Sequence, residues 1–301
     1  MIFVLGAGGY VGRRFTALLQ DRGIKVVPLT RAEVDYTDPT TLRRILKKER
    51  PDFVINAAGF TGRPNVDACE TARAETLFAN TVLPLRIAEA CADLGILWGH
   101  ISSGCIYQGV SGEEGGQPLG FREEDAPNFS FRAGPCSFYS GTKALAEEGL
   151  RAFPQVYLWR MRMPFDAHDS PRNYLSKLLR YARLLDVRNS LSHLDDFVAA
   201  GWATMERGLP RGIYNLTNPG SVTTAEVVGL IEQEGHARNE SRMLRPFAYF
   251  ASEEEFMKTG VRAPRSSCVL DTAKAEKLGL PLRPVREAIV DSLQRWVWET
   301  A

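Results

Sequence analysis

Tyr139 and Lys143 stand four residues apart in Tyr139-Ser140-Gly141-Thr142-Lys143, a spacing that sets both on one face of a helix. Such a pair suits proton transfer to an oxygen. A Tyr hydroxyl titrates near 10 in water, and a nearby Lys ammonium favours its phenolate, which keeps the group useful near neutrality. Ser102-Ser103 follow the apolar run 96–101. The Ser103 hydroxyl would hydrogen-bond a carbonyl oxygen as charge develops there. The three residue types fit reduction of a ketone, in which hydride reaches carbon and the new alkoxide needs a proton. The Tyr-x-x-x-Lys spacing alone is weak, so its weight depends on its surroundings.

A hydride donor is suggested by Gly6-Ala7-Gly8-Gly9-Tyr10-Val11-Gly12, a G-x-x-G-x-x-G pattern through Gly6, Gly9 and Gly12. Glycines there allow a tight turn, close approach to a pyrophosphate and tight helix–strand contact. The helix that opens at Tyr10 and Val11 would present free N–H groups and partial positive charge to the phosphates. The second strand ends in Leu29-Thr30-Arg31. Arg31 suits the 2′-phosphate of NADP by charge and by its planar fork, whereas Glu33 or Asp35 would suit the ribose of NAD. NADPH is the favoured cofactor.

These residues must be positioned by a repeating frame. Strand patterns at 2–5, 25–29, 53–57, 96–101 and 156–160 alternate with helical patterns. The first helix ends at Gly23, the second opens at Asp38-Pro39, a long one covers 72–94 before Gly95, and a fourth covers 137–153. This rhythm predicts an α/β, Rossmann-type doubly wound parallel sheet. Its strand ends face a ligand crevice. The segment 108–135 breaks the rhythm and reads as a functional loop. The second half predicts helices at 173–185, after Asp195, at 272–278 and at 285–298, a strand at 212–216, and a capping box in Thr223-Thr224-Ala225-Glu226. We expect a dinucleotide-binding domain over 1–160 and a smaller C-terminal substrate-binding lobe over 161–301, interleaved without a flexible linker.

Composition narrows the partners. The 301 residues carry a formal net charge of +1, with 44% hydrophobic and 24% charged residues. No whole-protein field draws in nucleic acid, and no apolar run approaches the ~18 residues of a membrane helix. The opening MIFVLGAGG lacks a basic segment, so no secretory signal is expected, and the protein reads as cytoplasmic. The five cysteines form no Cys-x-x-Cys pattern and read as reduced thiols. The four histidines show no ligand spacing, so no metal is expected.

On the glycine turn, Ser103 and Tyr139-x-x-x-Lys143, the chain resembles the extended short-chain dehydrogenase/reductase family. Longer segments narrow the resemblance. They are Asn56-Ala57-Ala58-Gly59, the run from Thr61 to Asp67, Gly104-Cys105-Ile106, Glu123-Glu124-Asp125, Ser137-Phe138-Tyr139-Ser140, the run from Arg160 to Pro164, Pro171-Arg172-Asn173, Thr217-Asn218-Pro219-Gly220 and Ala263-Pro264-Arg265-Ser266. These resemble the plant-type nucleotide-rhamnose synthases, which are 3,5-epimerase/4-reductases. Similarity to dTDP-4-dehydrorhamnose reductase and GDP-L-fucose synthase is more distant. The chain departs from the pattern at Gln108-Gly109-Val110-Ser111 and at the insertion Arg132-Ala133-Gly134-Pro135-Cys136.

The resemblance implies that Ala57, Ala58 and Gly59 join the glycine turn, Tyr139 and Lys143 at the cofactor. It implies a second activity through Cys105 and Lys177, the latter standing where fucose synthases have a histidine. A C4 ketone acidifies the protons at C3 and C5, so a thiol and an amine can invert those carbons through an enolate held by Ser103 and Tyr139. Arg63, Asn80, Asn173 and Arg265, with Ser103, are candidates to bind the nucleotide sugar. The implied reaction converts UDP- or dTDP-4-keto-6-deoxy-D-glucose to NDP-L-rhamnose with NADPH. The implied partners are an upstream 4,6-dehydratase and a second copy in a homodimer. A reductase acting after a separate epimerase is the first alternative. A non-catalytic regulatory subunit on the same scaffold is the second.

Overall fold

The computed structural model describes residues 1–299. Strand β1 (Ile2–Leu5) is wholly buried and leads through the glycine turn into α1 (Tyr10–Asp21). β2 (Val26–Leu29) follows, then α2 (Pro39–Glu49), with Pro39 at its first turn and Asp38 accepting from the Thr41 amide at 2.7 Å. β3 (Phe53–Asn56), α3 (Leu83–Leu94), β4 (Leu97–Ser103), α4 (Phe138–Leu150) and β5 (Val156–Met161) continue the alternation. A sixth strand, β6 (Gly212–Asn215), arrives much later in the chain.

The six strands form one parallel sheet in the order β6-β5-β4-β3-β1-β2. The order reverses beside β1, and that switch point opens the ligand crevice at the strand C-termini. Phe15, Trp159 and Phe197 anchor the apolar layer on one face of the sheet, and Leu42, Ile87 and Trp98 anchor the layer on the other. Gly99 is required on β4, because a Cβ there would lie 2.0 Å from the Trp159 ring.

The second lobe is built on its own apolar cluster. α5 (Tyr174–Arg180), α7 (Thr224–Ala237) and α8 (Val285–Gln294) contribute Leu175, Leu178, Val227, Ile231 and Ile289. Between them α6 (Leu194–Glu206) returns to pack on α1. The predicted capping box is present: Thr223 accepts from the Glu226 amide at 3.1 Å, and Glu226 accepts from the Thr223 amide at 2.7 Å.

Two element expectations are corrected, and one helix is added. The pattern over 72–94 is a helix interrupted by a wider π turn at Phe78–Val82. Pro84 has no N–H to donate to the carbonyl four residues back, at Asn80, so the winding loosens there. The helix predicted at 173–185 ends at Arg180, because Arg245 takes the carbonyls of Leu178 (2.6 Å) and Tyr181 (2.5 Å). A helix at Glu253–Thr259, capped by Ser252, was not predicted. Among the described residues no helix is long and apolar enough to cross a membrane.

The loop 108–135 contains a short antiparallel pair, Gly112–Glu114 with Gln117–Leu119. Its flanks bridge to the second lobe, where Gly109 meets Cys268 and Phe121 meets Leu270. This crossing ties the floor of the crevice to residues 267–271.

Candidate active site

A cleft of about 1480 Å³ lies at the C-terminal ends of β1, β3 and β4 and continues under α5. Gly6, Gly9, Tyr10, Val11, Arg31, Ala57, Ala58, Gly59, Arg63, Asn80, Ser103, Cys105, Tyr139, Lys143, Lys177 and Arg265 all line it. Gly12 and Asn173 do not.

The dinucleotide end is shaped by backbone. Gly6 has φ +73°, and a Cβ there would stand 2.6 Å from the Ala58 nitrogen. A Cβ on Gly12 would stand 2.2 Å from the Gly6 carbonyl oxygen. Gly12 therefore seats α1 against the turn rather than facing the cleft. No side chain caps α1, so its first amides are left for a ligand. Arg31 is exposed and makes no hydrogen bond or ion pair among the described residues. Its two acidic rivals are engaged: Glu33 accepts from Thr30 Oγ1 at 2.8 Å, and Asp35 from the Thr37 amide at 3.1 Å. The turn, the uncapped helix and the free Arg31 fit a dinucleotide with a 2′-phosphate.

The reactive end gathers on three elements. Ser103 closes β4, and its Oγ accepts from the Cys105 amide at 3.1 Å. The two side chains thus share the single turn Gly104–Ile106. Ser137 caps α4 by accepting from the Ser140 amide at 3.1 Å, which fixes Tyr139 and Lys143 on its first turns. Glu70 accepts from the Phe138 amide at 2.7 Å and ties that helix start to the 65–70 segment. Lys177 comes from α5 in the other lobe, and its ammonium has no hydrogen-bond or ion-pair partner among the described residues.

Lys143 is buried and donates to the Ile101 carbonyl at 3.1 Å. Burial lowers its pKa to about 8, against opposing pulls from Glu147 and Cys105. The expectation that Lys143 would draw Tyr139 toward phenolate is reversed here. Burial, and then a charge on Cys105, push the Tyr139 hydroxyl up. Tyr139 therefore stands protonated, as a proton donor must. Burial, followed by the neighbouring Arg172 charge, lowers Lys177.

A buried network backs the helix. Arg160, fully buried, forks onto Glu147 (2.8 Å from Nη2 to Oε2). Glu147 lies one turn beyond Lys143 and also accepts from Ser102 Oγ. Ser102 and Ser103 are adjacent on β4, so their side chains diverge, Ser102 Oγ to Glu147 and Ser103 Oγ to the Cys105 amide.

Two substrate candidates have structural duties. Asn80 Oδ1 accepts from the Phe60 amide at 2.8 Å, and its Nδ2 donates to the Phe60 carbonyl at 2.9 Å. It clips the 59–61 segment along the cleft wall. Asn173 is corrected outright as a sugar ligand. Its Oδ1 caps α5 at the Leu175 amide (2.9 Å), and its Nδ2 donates to the Asp166 and His168 carbonyls, both at 2.8 Å. Fully buried, it has no group left for a ligand.

Arg63 is exposed at the rim without a bonded partner, and Arg265 pairs with Asp67 at 2.9 Å across the rim. Arg172 makes a parallel link, from Nη1 to Thr61 Oγ1 and from Nη2 to the Gly62 carbonyl.

Sequence reasoning passed over Arg162, which lies within the quoted run Arg160 to Pro164. Its Nη1 donates to Cys105 Sγ at 2.8 Å, and its Nη2 donates to Asn189 Oδ1 at 2.6 Å. The available signal was a pair of arginines at strand spacing in an apolar strand, because a buried charge requires a partner.

Comparison with known proteins follows this geometry. Residues 1–297 match the family described as RmlD substrate binding domain. The chain is 34% identical over 297 residues to the trifunctional UDP-glucose 4,6-dehydratase/UDP-4-keto-6-deoxy-D-glucose 3,5-epimerase/UDP-4-keto-L-rhamnose-reductase of Arabidopsis thaliana, covering 98% of this chain and 42% of that protein. It therefore spans about two fifths of that relative. It is 33% identical over 288 residues to the bifunctional dTDP-4-dehydrorhamnose 3,5-epimerase/dTDP-4-dehydrorhamnose reductase of the same plant, covering 95% of this chain and 90% of that one. Among solved structures, the UDP-rhamnose synthase of Acanthamoeba polyphaga mimivirus superposes with a TM-score of 0.86 at 26% identity, covering 98% of this chain and 99% of that one.

Proposed function

The chain belongs to the RmlD substrate binding domain family, and from that premise we propose that it reduces a nucleoside-diphosphate 4-keto-6-deoxy sugar with NADPH and also epimerises the sugar at C3 and C5. The observation that carries this reading is the sharing of one turn by Ser103 and Cys105, with Tyr139 and Lys177 lining the same cleft. The bifunctional plant relative, with most of its length covered, supports the pairing of the two activities.

When bound, the dinucleotide supplies the hydride. Tyr139, held protonated by burial, gives its proton to the oxygen that becomes the C4 hydroxyl. Ser103 holds that oxygen while charge develops. Lys143 lies beside Gly59, where a Cβ would stand 3.8 Å from its Nζ. It anchors the cofactor ribose and restores the Tyr139 proton. Before reduction, Cys105 and Lys177 exchange the protons at C3 and C5, and the same Ser103 and Tyr139 hold the enolate oxygen. Arg31 takes the 2′-phosphate, and Arg63 and Arg265 take the diphosphate of the sugar nucleotide. A 4,6-dehydratase supplies the keto sugar. The product is an NDP-L-rhamnose.

The test is incubation with UDP- or dTDP-4-keto-6-deoxyglucose and NADPH in deuterium oxide, with no other epimerase present. Deuterium at C3 and C5 of a rhamnose product is the expected result. NADPH oxidation only with pre-epimerised sugar would leave a reductase alone. No turnover with either base or either epimer would leave a non-catalytic subunit.

A further inference from the structure

We propose that Tyr181 and Arg183 form a stacking platform for the pyrimidine base of the nucleotide sugar, in the half of the cleft that the second lobe supplies. The platform rests on the nucleotide-sugar reading above and concerns the part of the ligand that neither reduction nor epimerisation touches.

Tyr181 follows Lys177 by one helical turn, about 6 Å along α5. Arg245 stops the helix there by taking the Leu178 and Tyr181 carbonyls, and Tyr181 is already extended, at φ −72° and ψ 135°. From that point side chains two apart share a face. Tyr181 and Arg183 are two apart, Arg183 opens the short strand Arg183–Leu184, and both line the cleft. Tyr181 is 46% exposed, and its hydroxyl bonds nothing among the described residues. An exposed ring by itself needs no explanation. This one stands in a cleft beside a guanidinium that is held in place. Arg183 Cζ lies 4.2 Å from the Phe250 ring centroid. Its Nη2 donates to Glu255 Oε1 at 2.7 Å and to the Tyr249 carbonyl at 3.3 Å. Phe256 braces Phe250 edge-on, with centroids 5.1 Å apart. Phe250 thus covers one face of the guanidinium, and the hydrogen bonds leave along its plane. The other face is left for a second planar group.

A phenol ring and a guanidinium plane are surfaces on which a base stacks. The order along the cleft identifies which base. The rings of the dinucleotide belong to the sheet side, with the glycine turn and Ser103. Arg265, assigned to the diphosphate, is near enough to Tyr181 for its charge to act on the hydroxyl. Lys177 at the sugar, Arg265 at the diphosphate and Tyr181 with Arg183 at the base repeat the order of groups in a nucleotide sugar. The same reading gives the helix Glu253–Thr259 a task. None of its residues is buried, so it adds nothing to the apolar core, yet it supplies Glu255 and Phe256 to hold Arg183 in place. Gln108, from the loop 108–135, ties that helix down through Glu253 Oε1 at 3.3 Å.

The test is calorimetric titration of the full chain with UDP, with dTDP and with inorganic pyrophosphate, the probe that lacks a base. NADP⁺ is kept saturating, so that pyrophosphate does not enter the glycine turn. Tyr181→Leu removes the ring and keeps apolar bulk, and Arg183→Lys keeps the charge and removes the plane. Each variant should weaken UDP binding by about tenfold and leave pyrophosphate binding unchanged. Both positions are exposed, so both variants should fold; if Tyr181→Leu does not, Arg183→Lys decides. An unchanged UDP affinity in either variant overturns the platform and leaves the nucleotide-sugar reading standing. Equal losses of UDP and pyrophosphate also overturn it, because the residues would then act on the phosphates or on the fold. A wild type that binds neither UDP nor dTDP would defeat the nucleotide-sugar reading, and the platform with it.

Discussion

The Arg172 guanidinium donates to Thr61 Oγ1 at 2.6 Å, linking the second lobe to the segment that follows β3 of the six-stranded sheet. Arg172 also lies close enough to Lys177 for its charge to lower the lysine, after burial. Replacing Arg172 with Gln should let Lys177 stay protonated to higher pH. If Lys177 acts as the acid in the exchange, the alkaline limb of deuterium wash-in moves upward. A pH series of wash-in rates checks this, and a limb that does not move would remove Lys177 from the step.

Gly12 and Gly8 separate turn packing from ligand approach. Gly12→Ala would drive a Cβ to 2.2 Å from backbone at Gly6, whereas a Cβ on Gly8 meets nothing nearer than 3.7 Å. Gly12→Ala should cost about 1–3 kcal/mol, the usual range for overpacking against atoms that cannot shift, and weaken NADPH binding. Gly8→Ala should stay within about 0.5 kcal/mol in the absence of cofactor. Thermal unfolding and NADPH fluorescence titration read the two effects separately.

Lys143 carries a cost in the free protein. Its pKa is about 8 in the fold, against about 10.4 unfolded. Between those values the unfolded chain holds the proton and the folded chain does not, so this group makes stability rise with pH across that window. Lys143→Met should flatten the rise of Tm between pH 8 and 10 and lower ketone reduction by about 10²–10⁴-fold. An unchanged Tm slope would contradict the burial argument.

Asn173 and Arg63 should fail in opposite ways. Asn173→Ala removes a helix cap and two buried backbone contacts, which should cost about 2 kcal/mol of stability with little change in the KM for the sugar nucleotide. Arg63→Ala should leave Tm in place and raise that KM about tenfold, the loss of one charge-assisted phosphate contact. Urea unfolding and steady-state kinetics on both variants distinguish a structural from a binding residue.

The contrast shows what local sequence carries. The strands, the glycine turn and the Asp38 cap were legible because each is signalled within a few residues. The Thr223–Glu226 box was legible for the same reason. Asn173 was misassigned because an amide reads alike whether its donors meet a sugar or a backbone carbonyl. Arg162 was passed over because its partners, Cys105, Asn189 and Ser266, are far from it in sequence and meet only in the fold. The end of α5 was hidden for a similar reason, since Arg245 stops it from 64 residues beyond Tyr181. The Pro84 signal for the π turn was present, but a proline just after a helical run also marks an ordinary boundary.

The late arrival of β6 bears on how such a chain is made. β5 is complete at Met161, but its neighbour in the sheet begins only at Gly212. During synthesis the Trp159-bearing strand remains an open edge while the intervening residues emerge, the condition under which edge-to-edge association between nascent chains is a hazard. Ala275 and Leu280 later return to the same apolar layer as Phe15 and Trp159. A single cut near residue 160 would thus release neither half as an independent folding unit, and the two lobes should unfold in one transition.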